Sequence, residues 1–134
     1  MPDFAPRLLH TMLRVRDLAQ MLDFYCGTLG MRELRRIEFP AERYTLVFAG
    51  FAGDPAEAQV EFWHDWDREQ PYGTRNSGYG HLGIGVRDIV GCIAVLRAKG
   101  VRILREPGPM RQGGRVIALI EDPEGYEIEL LATE

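Results

Sequence analysis

His10-Thr-Met-Leu-Arg-Val-Arg-Asp17-Leu18 in the first half of the chain returns as His81-Leu-Gly-Ile-Gly-Val-Arg-Asp88-Ile89 in the second. The offset of 71 residues also superposes Val15 on Val86, Arg16 on Arg87 and Asp17 on Asp88. Further along, Gln59-Val-Glu61-Phe62 answers Glu127-Ile-Glu129-Leu130 at an offset of 68. The chain is a tandem repeat, and each copy brings one histidine near its start and one glutamate near its end. Two imidazoles and two carboxylates in matching positions are the elements of a metal site.

Working outward from these stretches, each copy reads strand, helix, strand, strand, strand. Asp17 is a good helix N-cap, and Leu18, Met21, Leu22 and Tyr25 fall at i, i+3, i+4 and i+7, a helical core face. Asp88 caps the same pattern in the second copy, with Ile89, Cys92, Ile93 and Leu96, and Gly100 ends it. Strands are expected over 32–39, 44–51 and 58–63, then over 101–105, 116–121 and 126–131. Asp122-Pro-Glu-Gly125 reads as a tight turn between the last two. The expected fold is α+β, with one βαβββ module over residues 7–66, a polar linker over 67–78 and a second βαβββ module over 79–131.

Composition narrows the function. A chain of 134 residues that is 46% hydrophobic can bury a core in two small modules. A net charge of −4 argues against nucleic acid, whose phosphates demand an excess of Lys and Arg. No apolar run is long enough to span a bilayer, and Met1 to Pro6 lacks the charged and apolar regions of a signal peptide. The expected compartment is the cytoplasm. Cys26 and Cys92 have no CxxC spacing and read as reduced, semi-buried small hydrophobes.

Strand alternation decides which way the candidate ligands point. His10, Met12 and Arg14 share one face of the first strand, with Thr11, Leu13 and Val15 on the other. In the second copy His81, Gly83 and Gly85 lie opposite Leu82, Ile84 and Val86, and the two glycines are expected to leave room above the sheet. Glu61 alternates with Val60 and Phe62, and Glu129 with Ile128 and Leu130, so both carboxylates can occupy the face that carries the histidines. A curved sheet with helices outside would make these four residues the lining of a cup. His10, Glu61, His81 and Glu129 suit a borderline divalent ion with about two open positions, unlike the thiolate sites of structural zinc.

These residues and spacings resemble the vicinal-oxygen-chelate superfamily, and within it glyoxalase I. The segments that carry the resemblance are Leu8 to Val15, Asp23-Phe-Tyr25 with Leu29-Gly-Met31, Val60-Glu-Phe-Trp-His-Asp-Trp66, Tyr79-Gly-His-Leu82 and Glu121 to Leu130, together nearly the whole chain. The resemblance implies the glyoxalase/bleomycin-resistance/dioxygenase fold and a homodimer, in which His10 and Glu61 of one chain meet His81 and Glu129 of the partner subunit. It implies one divalent ion per site; similarity to the short bacterial group makes Ni2+ the first choice, with Co2+ or Zn2+ as alternatives.

The reaction so implied is the isomerisation of the hemithioacetal of methylglyoxal and glutathione to S-lactoylglutathione, through an enediolate. By family correspondence Glu129 is the base that moves the proton between C1 and C2, with Glu61 opposite it as ligand and second catalytic carboxylate. Arg14 matches a position that contacts a glutathione carboxylate, and Arg111 lies in Glu106-Pro-Gly-Pro-Met-Arg-Gln-Gly-Gly114, which reads as a mobile lid carrying a basic residue. His64-Asp65-Trp66-Asp67 departs from the family's His-Asn-Trp-Gly or Tyr-Asn-Trp-Gly. Asp65 can accept from the glutathione ammonium yet repels its carboxylate, so either the thiol or its grip is altered. Phe39, Phe62, Trp63 and Met110 are candidates for an apolar pocket around the aldehyde-derived group.

Three other readings share the scaffold. A methylmalonyl-CoA epimerase would use the same ligand set on a coenzyme A ester. An iron oxygenase of the superfamily would need only one of the two glutamates. A non-catalytic drug-binding protein would not need a complete set of four ligands.

Overall fold

In the computed structural model, residues 5–51, 57–73, 77–111 and 114–133 are described. The chain divides into two compact units, Met1–Tyr72 and Gly73–Glu134. The first contains β1 (His10–Arg14), α1 (Leu18–Leu22), β2 (Arg32–Phe39), β3 (Tyr44–Gly50) and β4 (Gln59–Asp65). The second contains β5 (Leu82–Val86), α2 (Ile89–Ala98), β6 (Arg102–Pro109), β7 (Val116–Glu121) and β8 (Glu127–Ala132). Both are βαβββ modules with a four-stranded mixed sheet, in the orders β1-β4-β3-β2 and β5-β8-β7-β6. Asn76 of the expected linker and Gln112-Gly113 of the expected lid lie outside the described residues.

In each unit the first strand pairs in parallel with the last: the helix carries the chain over to the opposite edge strand, and the antiparallel meander brings it back beside the first. The repeat extends to register: Met12 lies opposite Glu61 in the first unit, and Gly83 opposite Glu129 in the second. The core of the first unit gathers Leu13, Val15, Met21, Val47 and Phe62 on the face opposite the candidate ligands. In the second unit Ile93, Leu96, Ile120, Ile128 and Leu130 do the same.

The helix-start expectations hold locally. Asp17 accepts a hydrogen bond from the Gln20 backbone N–H at 3.0 Å and Asp88 from that of Gly91 at 3.1 Å. A Cβ at Gly91 would come within 2.3 Å of Asp88 Oδ2, so glycine makes room for this cap. The first helix departs from expectation after Leu22: residues Asp23–Thr28 form a π-helical stretch in place of a continued α-helix. Its wider turn buries both Phe24 and Tyr25, where the α-helical period selects Leu22 and Tyr25. Tyr25 packs on Phe62, with ring centroids 5.0 Å apart, and tertiary packing outweighs the local period.

Two other expectations change. Residues 106–109 of the expected lid belong to β6, which runs on to Pro109 and pairs Gly108 with Ile117 and Pro109 with Val116. Its prolines are tolerated because β6 is an edge strand, where missing N–H donors break no ladder. The glycines of β5 do not leave open space: a Cβ at Gly83 would meet Leu131 at 3.3 Å, and one at Gly85 would meet Thr133 at 2.8 Å. Among the described residues no helix is long and apolar enough to cross a membrane.

The turn into β8 is built as the sequence indicates. Asp122 is 3% exposed, and its Oδ1 accepts from the backbone N–H groups of Glu124 at 2.9 Å and Tyr126 at 3.0 Å. Gly125, at φ 93°, takes the left-handed conformation that the turn requires. Asp122→Ala should lower the unfolding free energy by about 2 to 3 kcal/mol, since it strands two amide donors that bonded a carboxylate. Urea denaturation measures this; an unchanged midpoint and slope would show that the turn stands without its carboxylate.

Candidate metal centre and substrate face

Each unit brings its histidine and glutamate together at the parallel edge of its sheet. In the first, His10 Nε2 lies 3.9 Å from Glu61 Oε2, with the imidazole side chain 40% exposed and the carboxylate 12%. In the second, His81 Nε2 lies 3.5 Å from Glu129 Oε1, at 45% and 13%. The near-identical exposures follow from the shared register, which places each histidine two positions before the residue opposite its glutamate. Among the described residues no three His, Cys, Asp or Glu side chains gather in one place; each unit presents one His and one Glu.

The donor pairs fit a divalent ion. At metal–ligand distances of about 2.1 Å, donors at right angles lie about 3 Å apart, so small side-chain rotations would bring either pair onto one ion. An imidazole with a carboxylate is also the mixed set that Ni2+, Co2+ and Zn2+ accept.

Supports differ between the units. His10 stands edge-on to Phe48, with centroids 5.5 Å apart, and Phe48 is paired with Glu61 across β3 and β4. Beside it opens a cavity of about 400 Å³ whose lining includes His10, Leu34, Arg35, Phe48 and Gln59. In the second unit the Tyr79 hydroxyl donates to the Glu127 backbone oxygen at 2.9 Å. It thereby ties the segment leading into His81 to the strand that carries Glu129. Burial, followed by the charge of Asp122, pushes the Tyr79 hydroxyl up to about 12, so it remains a neutral donor. The sequence reading missed this role, although Tyr79 stands two residues before His81.

The rest of the first unit's site face is aromatic and charged. Trp63 stacks on Tyr44 at 4.3 Å between centroids, and Tyr44 stacks on Phe39 at 4.4 Å. The Arg14 guanidinium lies over Trp63, 4.8 Å from its centroid. Trp63 and Phe39 therefore do lie on the ligand face. Phe62 is 0% exposed in the core, as its alternation with Glu61 requires, and does not line a pocket there. Met110 and Arg111 follow β6 and are both exposed.

Asp65, the departure noted in the sequence, is the last residue of β4. Its Oδ1 accepts from the Trp63 indole N–H at 3.0 Å and its Oδ2 from the Tyr72 hydroxyl at 2.8 Å, while Arg14 lies 3.7 Å away. The Trp63 hydrogen bond, opposed by partial burial and assisted by Tyr72 and Arg14, holds this carboxyl below the usual aspartate range. Asp67, the second departure, has a different use. Arg43 grips it through two hydrogen bonds of 2.8 Å each, and the same guanidinium lies over Trp66. Asp67 thus fastens the β2–β3 turn to the chain that leaves β4.

Comparison with known proteins identifies the family. Residues 7–130 match the Glyoxalase/Bleomycin resistance protein/Dioxygenase superfamily. A probable lactoylglutathione lyase of Synechocystis sp. is 46% identical over 126 residues, covering 94% of this chain and 95% of that one. The lactoylglutathione lyase of Neisseria meningitidis serogroup A is 44% identical over 125 residues, covering 93% of this chain and 89% of the other. Glyoxalase I of Zea mays has the same fold, with a TM-score of 0.84 and 36% identity over 93% of this chain, which spans only 44% of the maize chain. The chain belongs to the glyoxalase/bleomycin resistance protein/dioxygenase superfamily and, within it, to the lactoylglutathione lyases, the glyoxalase I enzymes.

Proposed function

We propose that this enzyme isomerises the hemithioacetal of methylglyoxal and glutathione to S-lactoylglutathione. The observation that carries the reading is the pair of His and Glu sets, held in the same register in both units. From the resemblance to the family, the complete site is assigned to a homodimer, His10 and Glu61 of one chain facing His81 and Glu129 of the partner subunit. One divalent ion is assigned to each site, Ni2+ first and Co2+ or Zn2+ as alternatives, from the likeness to short bacterial members of the family. The compartment assigned is the cytoplasm; Cys26 and Cys92, both free and half-buried, suit a reducing environment.

Held by His10, Glu61, His81 and Glu129, a divalent ion would supply Lewis acidity to the substrate oxygens and so acidify the C1 proton. The chain's own residues do the rest. Glu129 takes the proton from C1 and returns one to C2, with Glu61 as the opposed carboxylate. The C1 hydroxyl carbon becomes the thioester carbonyl and the C2 carbonyl becomes the hydroxyl, so no oxidant or reductant is needed. His10 and His81 hold the ligand set in place, and Phe48 with its neighbours offers the aldehyde-derived group a surface next to His10. Arg14 and Arg111 are assigned to the thiol's carboxylates, and Asp65 to the same thiol.

Thioester formation at 240 nm from methylglyoxal plus glutathione should require metal, with stripped protein inactive and Ni2+ restoring the most activity. Silence with every ion, while metal is demonstrably bound, would reject the reading. Glu129→Gln should lower kcat by at least about 100-fold, the scale of a lost acid–base group. Near-normal turnover with metal retained would remove Glu129 from that role. His10→Ala and His81→Ala should each be inactive, yet regain about a quarter of wild-type activity when unfolded and refolded together, because random pairing makes half the dimers mixed and each of these has one intact site. No recovery, with mixed dimers present, would place each site within a single chain.

A further inference from the structure

We propose that Arg35 reads an anionic group on the aldehyde-derived side of the substrate, so that this enzyme takes hemithioacetals of 2-oxoaldehydes that themselves carry a carboxylate. The proposal rests on the isomerase reading and names its substrate class. Four residues form a row across the first sheet: Met12 on β1 stands opposite Glu61 on β4, Glu61 opposite Phe48 on β3, and Phe48 opposite Arg35 on β2. One aromatic ring therefore separates a candidate metal ligand from a guanidinium. The His10 imidazole meets that ring edge-on, and Arg35 Cζ lies 4.6 Å from its centroid. A guanidinium held over a ring uses none of its N–H donors on the contact.

A register shift in β2 turns the nearest carboxylate of its own strand away from this cation. Glu33 pairs with Ala49 and Arg35 with Phe48, so Leu34 is an extra residue between them. In an uninterrupted strand residues 33 and 35 would share a face; the bulge sends them to opposite ones. Glu33 thereby lies on the far face with Arg36, which donates to it at 2.6 and 3.3 Å. Among the described residues Arg35 forms no ion pair. It lines the cavity of about 400 Å³ beside His10, whose described lining holds two guanidiniums, Arg7 and Arg35, and one carboxylate, Glu57. A methyl group fills a small part of such a space. Direction follows from β4, where Gln59 lines the cavity, Glu61 is the candidate ligand and Asp65 lies at the end assigned to the thiol. A substrate with its reacting carbons at Glu61 and its thiol toward Asp65 sends its remaining substituent toward Gln59 and Arg35. A carboxylate there meets a fork of donors and takes no part in the proton transfer.

The test compares the glutathione hemithioacetals of 4,5-dioxopentanoate and of 5-methyl-2-oxohexanal, in which an isopropyl group replaces the carboxylate, on the Ni2+-loaded enzyme. Wild-type kcat/KM should be at least as high for the acid as for the neutral aldehyde. Arg35→Met, which keeps an apolar side chain over Phe48, should lower the acid-to-neutral ratio by about 10-fold, mostly through KM, the scale of one hydrogen bond to a charged group. Arg35→Lys should restore part of that ratio, and Arg36→Met, on the far face, should leave it at the wild-type value. An unchanged ratio in Arg35→Met would overturn the proposal, and so would an equal loss on both aldehydes, which would place Arg35 on the thiol. Calorimetric binding of S-(4-carboxybutyl)glutathione and S-(5-methylhexyl)glutathione to wild type and Arg35→Met reads the same ratio without turnover. No turnover of any hemithioacetal, with a binding ratio that falls in Arg35→Met, would reject the isomerase reading alone; a binding ratio that stays constant would reject the role of Arg35.

Discussion

Parallel pairing of the first strand with the last is the constraint on which the rest of this structure depends. An antiparallel hairpin would place residues at β1 and β4 under the control of a short turn, whereas the parallel pair sets them through a whole module. Once Met12 stands opposite Glu61 and Gly83 opposite Glu129, each histidine two positions upstream meets the glutamate on the same face. A slip of one residue would send the carboxylate into the core and Phe62 or Leu130 out of it, so burial of those side chains, at 0% and 1% exposure, enforces the register of the ligands. The chemistry and the core are two faces of one alignment.

The two units solve secondary support differently although their strands agree. In the first, an aromatic row of Trp63, Tyr44 and Phe39 crosses the sheet beside the ligand pair. In the second, Tyr79 bonds the backbone of β8, and the Asp122 turn anchors the start of that strand. Repetition conserved the placement of the ligands; the surroundings diverged.

The fold was largely legible because its signals are local. Alternation of period 2 marks which side of β1, β4 and β8 faces the core, and Asp17, Asp88, Gly100 and Asp122 punctuate the elements as side-chain chemistry dictates. What was not legible depended on neighbours distant in sequence. The π-helical stretch follows from packing Phe24 and Tyr25 against the sheet, the filled space above Gly83 and Gly85 from Leu131 and Thr133, and the length of β6 from its edge position. The candidate ligands were visible as a repeat of letters, whereas the contacts that hold Asp65, through Trp63 and Tyr72, were not.

By itself the sequence determined the two modules, the side of each sheet that carries His10, Glu61, His81 and Glu129, and the departure at Asp65. Those follow from residue type and short spacing, since strand and helix periods are properties of the local backbone. Only the tertiary structure decided that each histidine lies within 4 Å of its own module's glutamate, that Arg14 rests on Trp63, and that the Trp63 hydrogen bond lowers the Asp65 carboxyl below the usual aspartate range. Distances between strands and the electrostatics of a half-buried carboxylate are set by residues tens of positions apart, and no local period encodes them.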